Sequence, residues 1–157
     1  MSKPIAIIAG EPNSISSEII FKSWKLKNQF THRPFFVIGN IRHLNLQSKK
    51  LKYKINFKKI TYNFKISDIN NKQLPVFDID YSQKKPFEKI SNKSNKYILK
   101  CFDVAIKLIK EKKIIGFINC PISKEHLFKN KCQGITEFLS KKTGKSGNEV
   151  MLIYSNE

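Results

Sequence analysis

Short apolar runs alternate along this chain with longer stretches of helical periodicity, and that alternation most restricts its fold. Ile5 to Ala9 reads as a compact strand, broken by Gly10-Glu11-Pro12-Asn13. Ser14, Ser16 and Ser17 then precede a helical stretch through Ile20, Phe21, Trp24 and Leu26, because hydroxyl side chains accept from the free N–H groups of a helix start. Pro34 to Ile38 is a second strand, closed by Gly39-Asn40. Leu51, Tyr53, Ile55 and Phe57 alternate with Lys52, Lys54, Asn56 and Lys58, the period-two pattern of a half-buried strand, and Tyr62, Phe64 and Ile66 prolong it. Leu74 to Ile79 predicts another strand, and Asp80 to Ser94 a polar exposed connection. Tyr97, Ile98, Cys101, Phe102, Ala105, Ile106 and Ile109 share one face of the strongest helix, with Asn95 as its N-cap and Cys101 in the core. A strand over Ile114 to Ile118, short helices over Ser123 to Lys129 and Thr136 to Lys142, and a final strand over Glu149 to Tyr154 complete the pattern. Strands alternating with helices predict an α/β protein.

Composition narrows the class. With 157 residues and 40% hydrophobic content, the chain can bury one core, or one domain and part of another. No apolar run approaches the ~18 residues of a membrane-spanning helix. Ile5 to Ala9 is too short for the core of a signal peptide. Cys101, Cys120 and Cys132 are odd in number and show no C-x-x-C spacing, which predicts reduced thiols and a cytoplasmic protein. His32, His43 and His126 have no metal-ligand spacing. The net charge of +18 raises the possibility of nucleic-acid binding. Only Arg33 and Arg42 are arginine, however, and 23 Ile and 14 Asn stand against 3 Ala, as an AT-biased genome would write them. The lysines run along the whole length, so a solvated surface is favoured over a polyanion-binding face.

Two local patterns carry candidate chemistry. Gly10-Glu11-Pro12-Asn13-Ser14-Ile15-Ser16-Ser17-Glu18 follows the first strand, where α/β folds place ligand sites. Glu11 is either a ligand group there or a partner for the helix dipole, and the serines either donate to an anion or cap the helix. Asn119-Cys120-Pro121-Ile122-Ser123-Lys124-Glu125 is followed by Gly134-Ile135-Thr136-Glu137-Phe138-Leu139. Lys124 is either a point charge for a phosphate or carboxylate or a solvated helix lysine, and Thr136 either a binding hydroxyl or an N-cap.

The first pattern resembles the G-E-P-x-G-I-G-P-E opening of the 4-hydroxythreonine-4-phosphate dehydrogenase family. The second is similar to its T-x-P-I-x-K-E and G-H-T-E-F/Y-L segments, in the same order and at similar spacing, and Val150-Met151-Leu152 is similar to its V-x-M-M-L strand. The departures are Ser14 and Ser16 in place of glycines, Ser17 in place of proline, and Ile135 in place of a histidine that in the family touches substrate beside the following threonine. An isoleucine can neither hydrogen-bond nor carry charge, so that contact is absent or supplied otherwise.

The resemblance implies a three-layer αβα fold of the isocitrate/isopropylmalate dehydrogenase-like type, here incomplete, with residues 1–118 in a first α/β domain and 119–157 opening a second. The absence of G-x-G-x-x-G after the first strand agrees with a fold other than the Rossmann type. The resemblance implies NAD-dependent oxidation, with decarboxylation, of 4-phosphooxy-L-threonine in vitamin B6 and pyridoxal phosphate synthesis, by a homodimer using a divalent metal (Zn, Mg or Co) on three histidines. It assigns substrate contacts to Thr136, Lys124, Glu11 and the altered position Ile135, with Glu11 and Thr136 on two walls of one cleft. The family's metal histidines, and most of its nicotinamide site, lie beyond the point matching Glu157. The expectation is therefore that this chain is truncated, has no catalytic residue of its own, exposes an apolar face near its C-terminus, and alone neither fully binds NAD or metal nor turns over. A non-catalytic relative that binds a phosphorylated metabolite or a partner is the alternative, supported by Ile135. A basic nucleic-acid-binding module is a second one, and would show steeply salt-dependent binding.

Overall fold

Five strands pair in parallel in the order β3-β4-β2-β1-β5. They are β1 (Ile5–Ile8), β2 (Phe35–Gly39), β3 (Phe57–Ile60), β4 (Leu74–Asp78) and β5 (Gly116–Asn119). The structure, a computed structural model, describes residues 3–30, 33–69, 72–129, 134–150, 152 and 154. His32, Cys132 and Met151 lie outside the described residues. The chain divides into two compact units, Met1–Ser123 and Lys124–Glu157.

The first unit holds the sheet. Helix α1 (Ser16–Phe30) links β1 to β2, α2 (Ile41–Lys50) follows β2, and α3 (Asn95–Lys110) links β4 to β5. Parallel neighbours need such crossovers. The register aligns Ile7 with Val37 and Ile118, and Val37 with Val76, so these residues share one face. On that face Val37, Val76 and Leu74 pack with Ile20, Phe21 and Trp24 of α1 and Leu44 of α2. The alternate residues Ala6, Ile8, Phe36 and Ile38 are wholly buried. They belong to the opposite face, where α3 packs against β1, β2 and β5 and Phe102 meets Phe117. Covering both faces explains why β1 and β2 read as continuous apolar runs.

Several sequence expectations are corrected. The alternation from residue 51 to 57 is present in burial, but Leu51 ends α2 and residues 53–56 are not in a strand; the Asn56 carbonyl accepts from Leu74 N–H at 2.8 Å, just before β3 begins at Phe57. Tyr53 lies 5.5 Å from the Phe21 ring, so packing under α1 takes the place of a ladder. Tyr62, Phe64 and Ile66 keep one-sided burial through a turn and a 3-10 turn, Ile66–Asp68, with no strand. On α3 Tyr97, Ile98, Cys101, Phe102 and Ala105 are buried as expected, and the face differs toward the C-terminal end. Val104 and Leu108 are buried, whereas Ile109 is 38% exposed. Asn95 is the first residue of α3, preceded by the 3-10 turn Asn92–Ser94, and is not its cap. The expected strand over 149–154 falls partly outside the described residues. Glu149, Val150, Leu152 and Tyr154 are not in a strand, and Val150, Leu152 and Tyr154 are exposed. Cys101 is core, as expected, and burial pushes its thiol up to about 12.

The second unit contains α4 (Lys124–Phe128) and α5 (Ile135–Thr143), with Phe128 against Phe138 at 5.4 Å. Gly144 ends α5 in the left-handed conformation, φ 68°.

Candidate functional site

At the carboxyl ends of the strands, the loop after β1 and the loop after β5 are locked together. The Glu11 N–H donates to the Pro121 carbonyl at 2.9 Å, and Cys120 N–H to Ile8 at 3.0 Å. Gly10 makes this approach possible. Its φ is +71°, and a Cβ there would lie 2.5 Å from the Pro121 oxygen and 2.9 Å from the Cys120 oxygen, both backbone atoms. Only glycine combines that conformation with that closeness. The two sequence patterns singled out above therefore meet, through Gly10, Glu11, Cys120 and Pro121.

The serines serve this junction. Ser14 Oγ donates to the Glu11 carbonyl at 2.7 Å and accepts from Ser16 N–H at 3.2 Å, at the start of α1. Ser16 Oγ lies 2.7 Å from Ser14 Oγ and donates to the Pro121 carbonyl at 3.2 Å. The hydroxyls thus close the loop and cap the helix. Glu11 itself is 1% exposed. Its carboxylate accepts from Asn13 N–H at 3.1 Å and from Ser94 Oγ at 2.7 Å. Ser94 immediately precedes α3, so the carboxylate brackets the β1 loop to the start of that helix. These charge-assisted bonds offset the cost of burying the carboxylate.

A connecting strap, residues 80–91, is tied over the same edge. Asn13 and Gln83 exchange amide hydrogen bonds at 3.2 and 2.8 Å, and Glu88 N–H donates to Asn13 Oδ1 at 2.8 Å. Gln47 Nε2 donates to the carbonyls of Pro12 at 2.6 Å and Pro86 at 3.1 Å. The Tyr81 ring packs between Tyr97, tilted at 4.7 Å, and His43, edge-to-face at 5.1 Å. Burial, with Glu11 and Glu88 nearby, pushes the Tyr81 phenol up to about 12. Asn40 caps α2 by accepting from His43 N–H at 2.8 Å, while the Tyr97 hydroxyl accepts from Asn40 N–H at 3.2 Å. Sequence reading missed Ser94, Gln47, Gln83 and Asn40. Of these only Asn40, an Asn after a strand-ending Gly, carried a visible signal.

The other candidates belong to the second unit. Lys124 opens α4 and is exposed. Its Nζ would lie 3.9 Å from a Cβ built on Gly134. Gly134 is the N-cap of α5 and offers that helix no side-chain bond. Ile135 is the first residue of α5 and half-buried, and Thr136 the second and exposed. Thr136 is therefore not an N-cap. The unit brings the Lys124 ammonium, the α5 N-terminus and the residues beside Thr136 together. A positive charge beside a helix N-terminus suits an anion. Among the described residues no three His, Cys, Asp or Glu side chains gather into a metal-binding group.

With this geometry in place, comparison with known proteins is informative. Residues 31–157 match the model of the family described as pyridoxal phosphate biosynthetic protein PdxA. The chain is 24% identical over 153 residues to a 4-hydroxythreonine-4-phosphate dehydrogenase of Zymomonas mobilis, covering 96% of this chain and 44% of that protein. It is 27% identical over 154 residues to a putative D-threonate 4-phosphate dehydrogenase of Oceanobacillus iheyensis, covering 96% and 46%. The chain thus spans less than half the length of these relatives. A crystal structure of a 4-hydroxythreonine-4-phosphate dehydrogenase from Burkholderia phymatum superposes with TM-score 0.75 at 22% identity, over 92% of this chain and 44% of that one, so the fold is shared. The family match covers far more than half of the chain and includes the junction loop at Cys120-Pro121 and all of Lys124 to Thr136: this chain belongs to the PdxA family of pyridoxal phosphate biosynthetic proteins.

Proposed function

We propose that this chain forms part of a dehydrogenase that oxidises the hydroxyl of 4-phosphooxy-L-threonine with NAD, with loss of carbon dioxide, in pyridoxal phosphate synthesis. The assembly is a cytoplasmic homodimer with a three-layer fold of the isocitrate dehydrogenase-like type. The observation that carries the reading is the placement of Lys124 at the N-terminus of α5, beside Thr136. In it the Lys124 ammonium and the first N–H groups of α5 hold the substrate phosphate, and the Thr136 hydroxyl bonds a substrate oxygen. Ile135 contributes shape alone. Glu11 holds the β1 loop through Asn13 and Ser94. NAD supplies the hydride acceptor when bound. The reading places the ligands of the divalent metal outside the described residues of this chain.

Isothermal titration with 4-phosphooxy-L-threonine tests it. Losing a charged hydrogen-bond partner costs roughly 1.5–3 kcal/mol, so Lys124→Ala is expected to weaken binding about tenfold or more. Binding that is unchanged in Lys124→Ala sinks this site. The chain alone is expected to produce no NADH, and stoichiometric zinc with NADH formation would overturn that expectation.

A second reading, a non-catalytic relative that binds a phosphorylated metabolite, draws on Ile135 standing where the family has a histidine. It predicts binding of 4-phosphorylated hydroxy acids, D-threonate 4-phosphate included, without turnover in any longer form of the protein. A nucleic-acid module fits less well. Exposed lysines lie on helices of both sheet faces, Lys22, Lys25, Lys49 and Lys50 on one and Lys96, Lys100, Lys107 and Lys110 on the other.

A further inference from the structure

The His43 ring lies buried against Tyr81 of this strap. It is 4% exposed, and neither ring nitrogen has a protein hydrogen-bond partner. A neutral imidazole in that position costs the unmade bonds. An imidazolium would in addition lose its hydration, with only the Pro12 carbonyl and the Glu88 charge to set against that loss. It would also sit in the first turn of α2, where the helix dipole repels positive charge.

The surrounding groups give little relief. On its own helix Arg42 is next in sequence and exposed. From the loop after β1 comes the Pro12 carbonyl, already accepting from Gln47. Glu11 in that loop is spent on Asn13 and Ser94. From the strap come the Tyr81 ring and the charge of Glu88. Asp78, at the end of β4, bonds Ile41 N–H at 3.0 Å and Lys59 at 3.1 Å. From α3 comes Tyr97, whose hydroxyl accepts from Asn40 N–H. Desolvation dominates, with the Pro12 carbonyl and Glu88 opposing it less, and the ring is held below its ordinary value.

We propose that protonation of His43 releases the 80–91 strap from the carboxyl edge of the sheet, so that the loop after β1 is clamped near neutral pH and unclamped in mild acid. The strap is the element that yields, because it has no secondary structure between Ile79 and the 3-10 turn, and its hold rests on Asn13, Gln47 and the Tyr81 ring contacts. The sign follows from linkage. The released state protonates at about 6.5 and the clamped state lower, so the clamp is intact above that value and weakens as pH falls below it.

The test is amide exchange of the whole chain, read at the Glu88 N–H, whose bond to Asn13 reports the clamp. After correction for intrinsic rates, exchange is expected to accelerate about tenfold between about pH 7.5 and about pH 5.5, one pH unit to either side of the free imidazole value. Protection in the centre of α3 is expected to stay constant. His43→Phe keeps the ring packing against Tyr81 and is expected to abolish the acceleration. Exchange flat with pH in the wild type, or an equal acceleration in His43→Phe, overturns the proposal. Should His43→Phe not fold, the wild-type His43 ring signal decides. Its titration must share a midpoint with the Glu88 exchange profile, and a mismatch overturns the proposal equally.

Discussion

Replacing Gly10 by alanine is expected to destabilise the first unit by about 2–5 kcal/mol. Two costs combine. A non-glycine residue at φ +71° costs roughly 1–2 kcal/mol from the left-handed backbone alone. The added methyl would lie 2.5 Å from the Pro121 carbonyl oxygen and 2.9 Å from that of Cys120, and neither atom belongs to a side chain that can swing aside. The loop must retreat, lengthening the 2.9 Å bond from Glu11 N–H to Pro121, and a lost buried bond costs about 1–3 kcal/mol more. Gly144 supplies the internal comparison: its φ is +68°, but a Cβ there would meet nothing within 4 Å, so Gly144→Ala carries the conformational term alone, about 1–2 kcal/mol. Urea unfolding, followed by far-UV circular dichroism and by Trp24 fluorescence for the first unit, gives both values. Equal losses in the two variants would refute the claim that close approach to the β5 loop is what requires glycine at position 10.

Glu11→Ala removes both accepting oxygens, leaving Asn13 N–H without its partner and Ser94 Oγ with the Ser91 carbonyl alone; a loss of about 1–3 kcal/mol is expected in the same urea assay, and none would show that the carboxylate does not brace the loop. Leu108→Ala is expected to cost about 2–5 kcal/mol and Ile109→Ala under ~0.5, and the reverse order would restore the helix face read from sequence. Burial pushes the Cys101 thiol up to about 12 and the Cys120 thiol up to about 11, so both are expected to react with a thiol reagent at neutral pH only as fast as the unit unfolds, and rapid labelling in the native state would contradict their burial. Because the folded values lie above the ordinary thiol value, these groups contribute stability below it that is lost as pH rises through about 11 to 12, which alkaline unfolding monitored by circular dichroism should register.

The sheet was largely legible from sequence because its central strands are buried on both faces and must be apolar throughout. Ile5–Ile8 and Phe35–Gly39 announce themselves in that way. Helix α2 was not legible. It buries His43, Gln47 and Ser48 beside Leu44, so its inner face looks like a solvated one. That polarity answers a demand arising elsewhere, the carbonyls of Pro12 and Pro86 that Gln47 satisfies. Neither is near it in sequence. The alternation from Leu51 to Phe57 predicted the side that would be buried, but periodicity cannot tell a paired strand from an extended segment packed beneath a helix. At the candidate site, Glu11 and Pro121 could be picked out as local patterns. Their contact depends on β1 and β5 being neighbours in the sheet, which spacing does not encode.

The strand order also bears on how the protein is made. Strand β1 is flanked by β2 and by β5, and β5 is synthesised after β2, β3, β4 and the helices between them. Until residues 116–121 emerge, one edge of β1 has no partner and the turn at Gly10 has no carbonyl to close upon. A contact between residues so distant in the chain carries a large loop-closure cost and is slow to form. Between the synthesis of β1 and that of β5, therefore, the sheet is unfinished, with an apolar flank open to any competing strand, which is the stage at which a chaperone would matter most.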